Sequence, residues 1–238
     1  MDEDVVAAVN RVAALSDPTR RALYLYTVDQ TDPVTREQAA SACGVAVHTA
    51  KFHLDRLVGE GLLDVDQRRV SGRTGPGAGR PAKVYRRSAR EVSVSLPERS
   101  YDLVARLLAR AVEDASTSGT PIRAAVDQVA RRHGRALAGT ASRAEEPALG
   151  AVEELRRVAS VLASAGYQPL AGGAEPELRL RNCPFARLTD DHLALVCAMN
   201  LALVGGVLDE LSCSTIAAEL RPDPDLCCVR VRTVELTA

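Results

Sequence analysis

Residues 35–63 read TREQAASACGVAVHTAKFHLDRLVGEGLL, and this stretch decides the N-terminal fold. Thr35 has the side-chain oxygen of an N-cap and opens a helix over REQAASAC, which Gly44 ends. The short turn around GVAV leads into a second helix. Its inward stripe is Ala50, Leu54 and Leu57, the spacing of one helical face, and Gly61 closes it. Two helices across so short a turn read as a helix-turn-helix. The stripe locks the second helix to its domain. His48, Thr49, Lys51, Phe52, His53 and Arg56 are expected to face outward.

The flanks extend this unit. Upstream, Val5, Val6, Val9, Val12 and Ala13 share one helical face. Ser16-Asp17 before Pro18 is a stop and a restart, and a second helix carries Leu23, Leu25 and Tyr26. Downstream, LLDVDQRRV and AKVYRRS read as two strands. Between them SGRTGPGAGRP holds four Gly and two Pro, which reads as a long hairpin tip. Residues 67–90 hold eight basic residues and no acid, although the whole chain has a formal net charge of -1. A local anionic partner is therefore expected.

Helices, short turn and basic hairpin together are the arrangement of a winged helix-turn-helix. A helix fits the DNA major groove, about 12 Å wide, and side chains on its free face then meet bases and phosphates. An arginine-rich hairpin reaches the backbone or the neighbouring minor groove. The expected DNA contacts are His48, Thr49, Lys51, Phe52, His53 and Arg56 on the helix, with Arg68, Arg69, Arg73, Arg80 and Lys83 on the hairpin. The blocks LSDPTRRALYLYTV, GVAVHTAKFHLDRLVGEGLL and GRPAKVYRRS resemble the winged-helix regulators of the ArsR-like superfamily over roughly residues 1–90. The resemblance implies a homodimer on a partly palindromic double-stranded DNA operator. The cysteine pair of metal-sensing ArsR proteins is absent from this region, where Cys43 stands alone. Cys43, among Ala39, Ala40, Ala42 and Gly44, reads as a small residue at a tight helix contact.

Beyond residue 90 the expected organisation is a helical connector over 91–145 and a sensor domain over 146–238. A stripe of Leu103, Leu107, Leu108 and Val112 is expected to dimerise. Pro121 opens another helix, and RAEEPALG reads as a linker. The last part reads as two helix–strand–strand halves of negligible sequence identity. The fold class expected is mainly α with α+β parts: winged helix-turn-helix, helical connector and α+β sensor domain.

Five of the six cysteines lie in the last 56 residues, spaced C-x13-C-x15-C-x13-C-C. This is not the close C-x2-C pairing of structural zinc ribbons. Ligands would come from separate elements, so a site would form only with the fold. Cys183 precedes Pro184 at a strand end, and Cys197 lies two turns into an apolar helix. Cys227 and Cys228 open a strand on opposite faces, and Cys227 has the apolar side with Val229 and Val231. The metal candidates are Cys183, Cys197 and Cys227, with Cys213 and Cys228 as further ones; thiolates suit soft metals and iron–sulfur clusters. RNCPF, LVCAMNLAL and CCVRV resemble the sensory half of regulators related to the repressor of the suf iron–sulfur assembly operon. That resemblance implies an iron–sulfur cluster; zinc, a thiol switch and plain buried cysteines stay open beside it.

Composition adds limits. The chain has 238 residues, 46% hydrophobic and 3% aromatic, so Ala, Val and Leu must fill its cores. MDEDVVAAVNRV is not expected to act as a secretory leader. The longest apolar run, Leu193 to Leu208, is read as a buried helix rather than a membrane span. No phosphate loop, Ser-His-Asp arrangement or CxxC motif argues for an enzyme. The expectation is a cytoplasmic transcriptional regulator that senses iron–sulfur or redox status. The alternative is a small-molecule-sensing winged-helix repressor with structural cysteines.

Overall fold

Pro18 and Thr35 set the first local structure. In the computed structural model, which describes residues 3–68, 81–141, 150–171 and 176–234, α1 (Glu3–Ala14) stops before Asp17. The Asp17 carboxylate caps α2 (Pro18–Asp29) by accepting from the Arg20 N–H at 2.8 Å. Thr35 caps α3 (Arg36–Cys43) in a full capping box: the Gln38 N–H donates to its hydroxyl, and its own N–H donates to the Gln38 side chain. Gly44 ends α3 in the left-handed region at φ 63, where a Cβ would be strained. The expected caps and breaks of this stretch are thus present.

The second helix of the motif, α4 (Val47–Gly59), buries Ala50, His53, Leu54 and Leu57. These sit at i, i+3, i+4 and i+7, one continuous face. With Leu23, Ala39, Ala40, Leu63 and Tyr85 they form the core of the first unit. A three-stranded antiparallel sheet completes it, in the order β1 (Val34–Thr35), β3 (Ala82–Arg87), β2 (Leu63–Arg68). Strand β2 buries only Leu63, while β3 buries Val84 and Tyr85 against the core. Its expected tip contacts Arg69, Arg73 and Arg80 lie outside the described residues.

The chain divides into two compact units, Met1–Val94 and Ser95–Ala238. The second takes in the helices expected as a separate connector, α5 (Tyr101–Ser118) and α6 (Ile122–Ala141). They belong with it because they pack on its long helix α8 (Thr189–Glu210): Val104, Leu107, Val126 and Val129 share a core with Val196, Met199 and Leu203. Leu107 is therefore buried inside the unit, and of the expected dimer stripe only Val112 is exposed, at 53%. On its other side α8 meets a core of α7 (Ala151–Ser164) and a four-stranded antiparallel sheet. The sheet order is β4 (Pro169–Ala171), β5 (Glu177–Leu180), β7 (Val229–Thr233), β6 (Ile216–Leu220).

Each half of this sheet region is helix–strand–strand, α7-β4-β5 and α8-β6-β7, and the halves join through β5 and β7 at the centre. Burial on two sides explains why α8 is apolar nearly all round. The apolar helical segment, Ala186–Glu210, is longer than the 16-residue run in the sequence and is long and apolar enough to cross a membrane by length and composition alone. Its core position accounts for that composition. The α6–α8 crossing is unusually close. A Cβ on Gly134 would run into the Leu203 carbonyl, and one on Gly206 into the Arg131 carbonyl. Beside the crossing, Asp209 takes bonds from Arg131 at 2.6 and 2.7 Å and from Arg135 at 2.9 Å.

Candidate functional site

Two regions gather functional side chains, one in each unit. In the first, α4 presents His48, Lys51, Phe52 and Arg56 to solvent, and Thr49 is half-buried. Phe52 is 66% exposed, an unusual place for a large aromatic. Arg56 is held along the helix by Glu60 at 2.6 Å. His53 departs from its expected outward place. It is buried, and its Nδ1 accepts from the Arg20 Nε at 3.3 Å. Position 53 belongs to the inward face set by residues 50, 54 and 57, so it helps dock α2 on α4 and does not face a ligand.

The hairpin is fastened to the same helix. Lys83 Nζ and the Tyr85 hydroxyl both donate to Asp55 Oδ1 at 3.0 Å. Burial, and then the bond to Asp55, push the Tyr85 phenol upward, so it stays a donor. Arg68 pairs with Asp66 at 3.4 Å and is half-exposed. The surface built by α4 and the described part of the hairpin thus carries Lys51, Arg56, Arg68 and Lys83, three of them with acidic neighbours.

The second region forms where β5 ends and β7 begins. The two strands are antiparallel, with Leu178 opposite Val231. Carried past the strand ends, that register brings residues 182–183 against 226–227, and the Cys227 N–H donates to the Leu180 carbonyl at 2.8 Å. Cys183 and Cys227 both line the wall of one cavity there. The neighbouring Cys227 thiol above all lowers the Cys183 thiol against the effect of burial, with help from the Phe185 N–H and the Arg99 charge. The nearby Cys183 thiol and then burial push the Cys227 thiol strongly upward.

Cys197, two turns into α8, forms a disulfide with Cys228, their Cα atoms 6.4 Å apart. The alternation expected to separate Cys227 from Cys228 does not operate, because β7 starts only at Val229. Both sulfurs therefore reach the same place. All four cysteines line one cavity of about 600 Å3, together with Arg99 and Asp190. Among the described residues no three His, Cys, Asp or Glu side chains stand in a metal-ligand arrangement. Cys213 lies elsewhere, half-buried past the end of α8, pushed up to about 11 by burial and the Glu154 charge. Cys43 is in the first unit, half-buried against its core.

The scaffold around the thiols includes residues that the sequence did not single out. The Asn182 side chain is buried; its amide donates to the Glu98 and Gly166 carbonyls at 2.9 Å and its oxygen accepts from Arg99. Arg99 also donates to the Cys183 carbonyl at 2.9 Å. These bonds fix the loop that carries Cys183. Asn200, fully buried in α8, donates to Cys227 Sγ at 3.2 Å, while its oxygen accepts from the Tyr167 hydroxyl. The phenol thereby orients the amide toward the thiol. A polar Asn inside an apolar helix was the one visible signal for this pair.

Comparison with known proteins bears on the first unit. The family model described as a helix-turn-helix domain matches residues 15–66, from the end of α1 through α4 into β2. No curated protein and no solved structure matches the chain. The N-terminal unit is a helix-turn-helix domain, and its described geometry adds the winged hairpin.

Proposed function

We propose that this chain is a cytoplasmic, homodimeric, DNA-binding transcriptional regulator whose C-terminal unit senses iron–sulfur or redox status. The helix-turn-helix match supports DNA binding, as does the exposed row His48, Lys51, Phe52 and Arg56 on α4. The sensing part rests on one observation: Cys183, Cys197, Cys227 and Cys228 converge on one cavity from a loop, a helix and a strand start. No catalytic arrangement is proposed beside them.

The donor set fits an iron–sulfur cluster, because such clusters are held by cysteine thiolates. Four thiolates also suit zinc. With the Cys197–Cys228 bond closed, two of the four sulfurs are withdrawn from ligation. A bound cluster would supply sensitivity to oxidants and to iron supply. The chain's own residues define the rest: Cys183, Cys197, Cys227 and Cys228 would hold the group once the disulfide is reduced. Asn182 and Arg99 hold the Cys183 loop, and Asn200 holds Cys227. A sensor further requires that the two states of the centre differ in DNA affinity.

The test is anaerobic purification under reductant, with an absorption spectrum, iron and sulfide analysis, and DNA binding measured before and after oxidation. Iron and sulfide bound in the native chain, lost in Cys183→Ser, support the reading. A colourless, iron-free chain with unchanged DNA binding would overturn it in favour of a small-molecule-sensing repressor.

A further inference from the structure

We propose that Phe52 is a base-reading residue of the helix-turn-helix, packing its ring on the 5-methyl group of thymine in the major groove. This rests on the DNA-binding part of the function proposed above, and not on the cysteine centre. The chain is poor in aromatics, with two Phe and no Trp. The other phenylalanine, Phe185, is fully buried. Phe52 is instead 66% exposed, in the middle of α4. The buried face of that helix is Ala50, His53, Leu54 and Leu57, and the core of the first unit is complete without Phe52.

The exposed ring has a fixed support. It stands edge-on to the His53 imidazole, with ring centroids 5.2 Å apart and planes at 73°. That imidazole is buried and accepts from the Arg20 Nε at 3.3 Å, while Arg20 Nη1 donates to the Ala14 carbonyl at 3.0 Å. A side chain of α2 thus steadies the group on which Phe52 rests. A ring placed in this way has less rotamer freedom to lose when it meets a ligand. Phe52 shares one row of α4 with His48 and Arg56, four residues to either side, and Lys51 stands next to it; all four are exposed.

The chemistry of the groove decides what such a ring can read. Base edges in the major groove offer hydrogen-bond donors and acceptors and one methyl group, that of thymine. A phenyl ring neither donates nor accepts. Against any other edge it would strip water from polar atoms and give no bond in return. Against the methyl it buries apolar surface on both partners. The polar neighbours His48, Lys51 and Arg56 suit the phosphates and acceptor edges around that methyl. A thymine is thereby selected at the position under the ring.

The test uses the full chain and the duplex it selects from a randomised pool. Thymines of that duplex are replaced one at a time by deoxyuridine, which removes only the 5-methyl. At one position and its symmetry mate, native binding should weaken about fourfold, the cost of losing one methyl-sized apolar contact. Phe52→Ala should bind the thymine and deoxyuridine duplexes alike at that position, and Phe52→Leu should keep a preference for the methyl. Native binding that ignores every methyl, or a Phe52→Ala chain that keeps the native sensitivity, would overturn the proposal and leave DNA binding in place. A Phe52→Ala chain that sediments as a monomer where the native chain is a dimer would overturn it too, since the ring would then belong to a protein interface. Selection of no duplex at all defeats the DNA-binding reading itself, and this one with it. The deoxyuridine series on the native chain needs no variant to fold.

Discussion

Single residues carry distinct loads in the second unit. Glu154 is almost fully buried, and its carboxylate accepts from the Ser214 N–H, the Thr215 N–H and the Thr215 hydroxyl at 2.8–3.1 Å. Burial pushes its carboxyl up, but these bonds outweigh burial and the net shift is downward. Glu154→Ala removes the shared acceptor and should cost about 1–3 kcal/mol in denaturant unfolding; an unchanged midpoint would show that water replaces it. Asp209 titrates differently. The Arg131 bond above all holds its carboxyl at about 2. A depressed folded pKa stabilises above the unfolded value, near about 4, and that gain is lost as pH falls through about 2. Since both arginines are half-exposed, the gain is about 1 kcal/mol or less. Asp209→Asn should flatten the acid limb of stability between those two pH values, and a slope equal to the native chain's would sink the assignment. His53 shows where residue-scale reading from sequence stops. A stripe drawn only through apolar side chains omitted a polar residue on the same face, whose place is settled by its contact with Arg20.

Elements were legible where their signals are local. The Thr35 cap, the Gly44 stop and the α4 stripe are all set within a few residues, and each appeared as expected. The stripe on α5 was legible as apolar but not as to its partner, because amphipathicity does not say what covers it. The thiol centre needed more still: Cys183 and Cys227 line one cavity only because β5 and β7 are neighbours across 44 positions of sequence, and no local pattern encodes that pairing. The α6–α8 crossing is a further long-range feature, and Gly206→Ala tests it. The new methyl meets backbone rather than a flexible side chain. The helices must part, and a loss of about 1–3 kcal/mol is expected from thermal or denaturant melting. A neutral effect would mean that the pair slides freely. In the first unit, the hairpin is tested by changing Arg68, Arg69, Arg73 and Arg80 together to Ala. Duplex binding should weaken and its salt dependence should become shallower; unchanged binding would remove the hairpin from the interface.

At the scale of the molecule, each unit has its own core, and the Cys197–Cys228 bond closes only in the second. Melting of the native chain should therefore show two transitions, with reductant lowering only one. For a loop of this length the loss is about 3–4 kcal/mol. A single transition, or equal shifts in two, would show that the units unfold together. The two α-β-β halves contribute unequally to the cavity between their central strands. The leading half supplies one sulfur, Cys183, and the trailing half supplies Cys197, Cys227 and Cys228. Neither half is chemically competent alone. A fragment starting after Pro184 would keep three of the four sulfurs and lose both the fourth and the strand that aligns them. The centre thus depends on the whole C-terminal unit: a nascent or clipped chain that lacks either half cannot assemble the four-sulfur cavity.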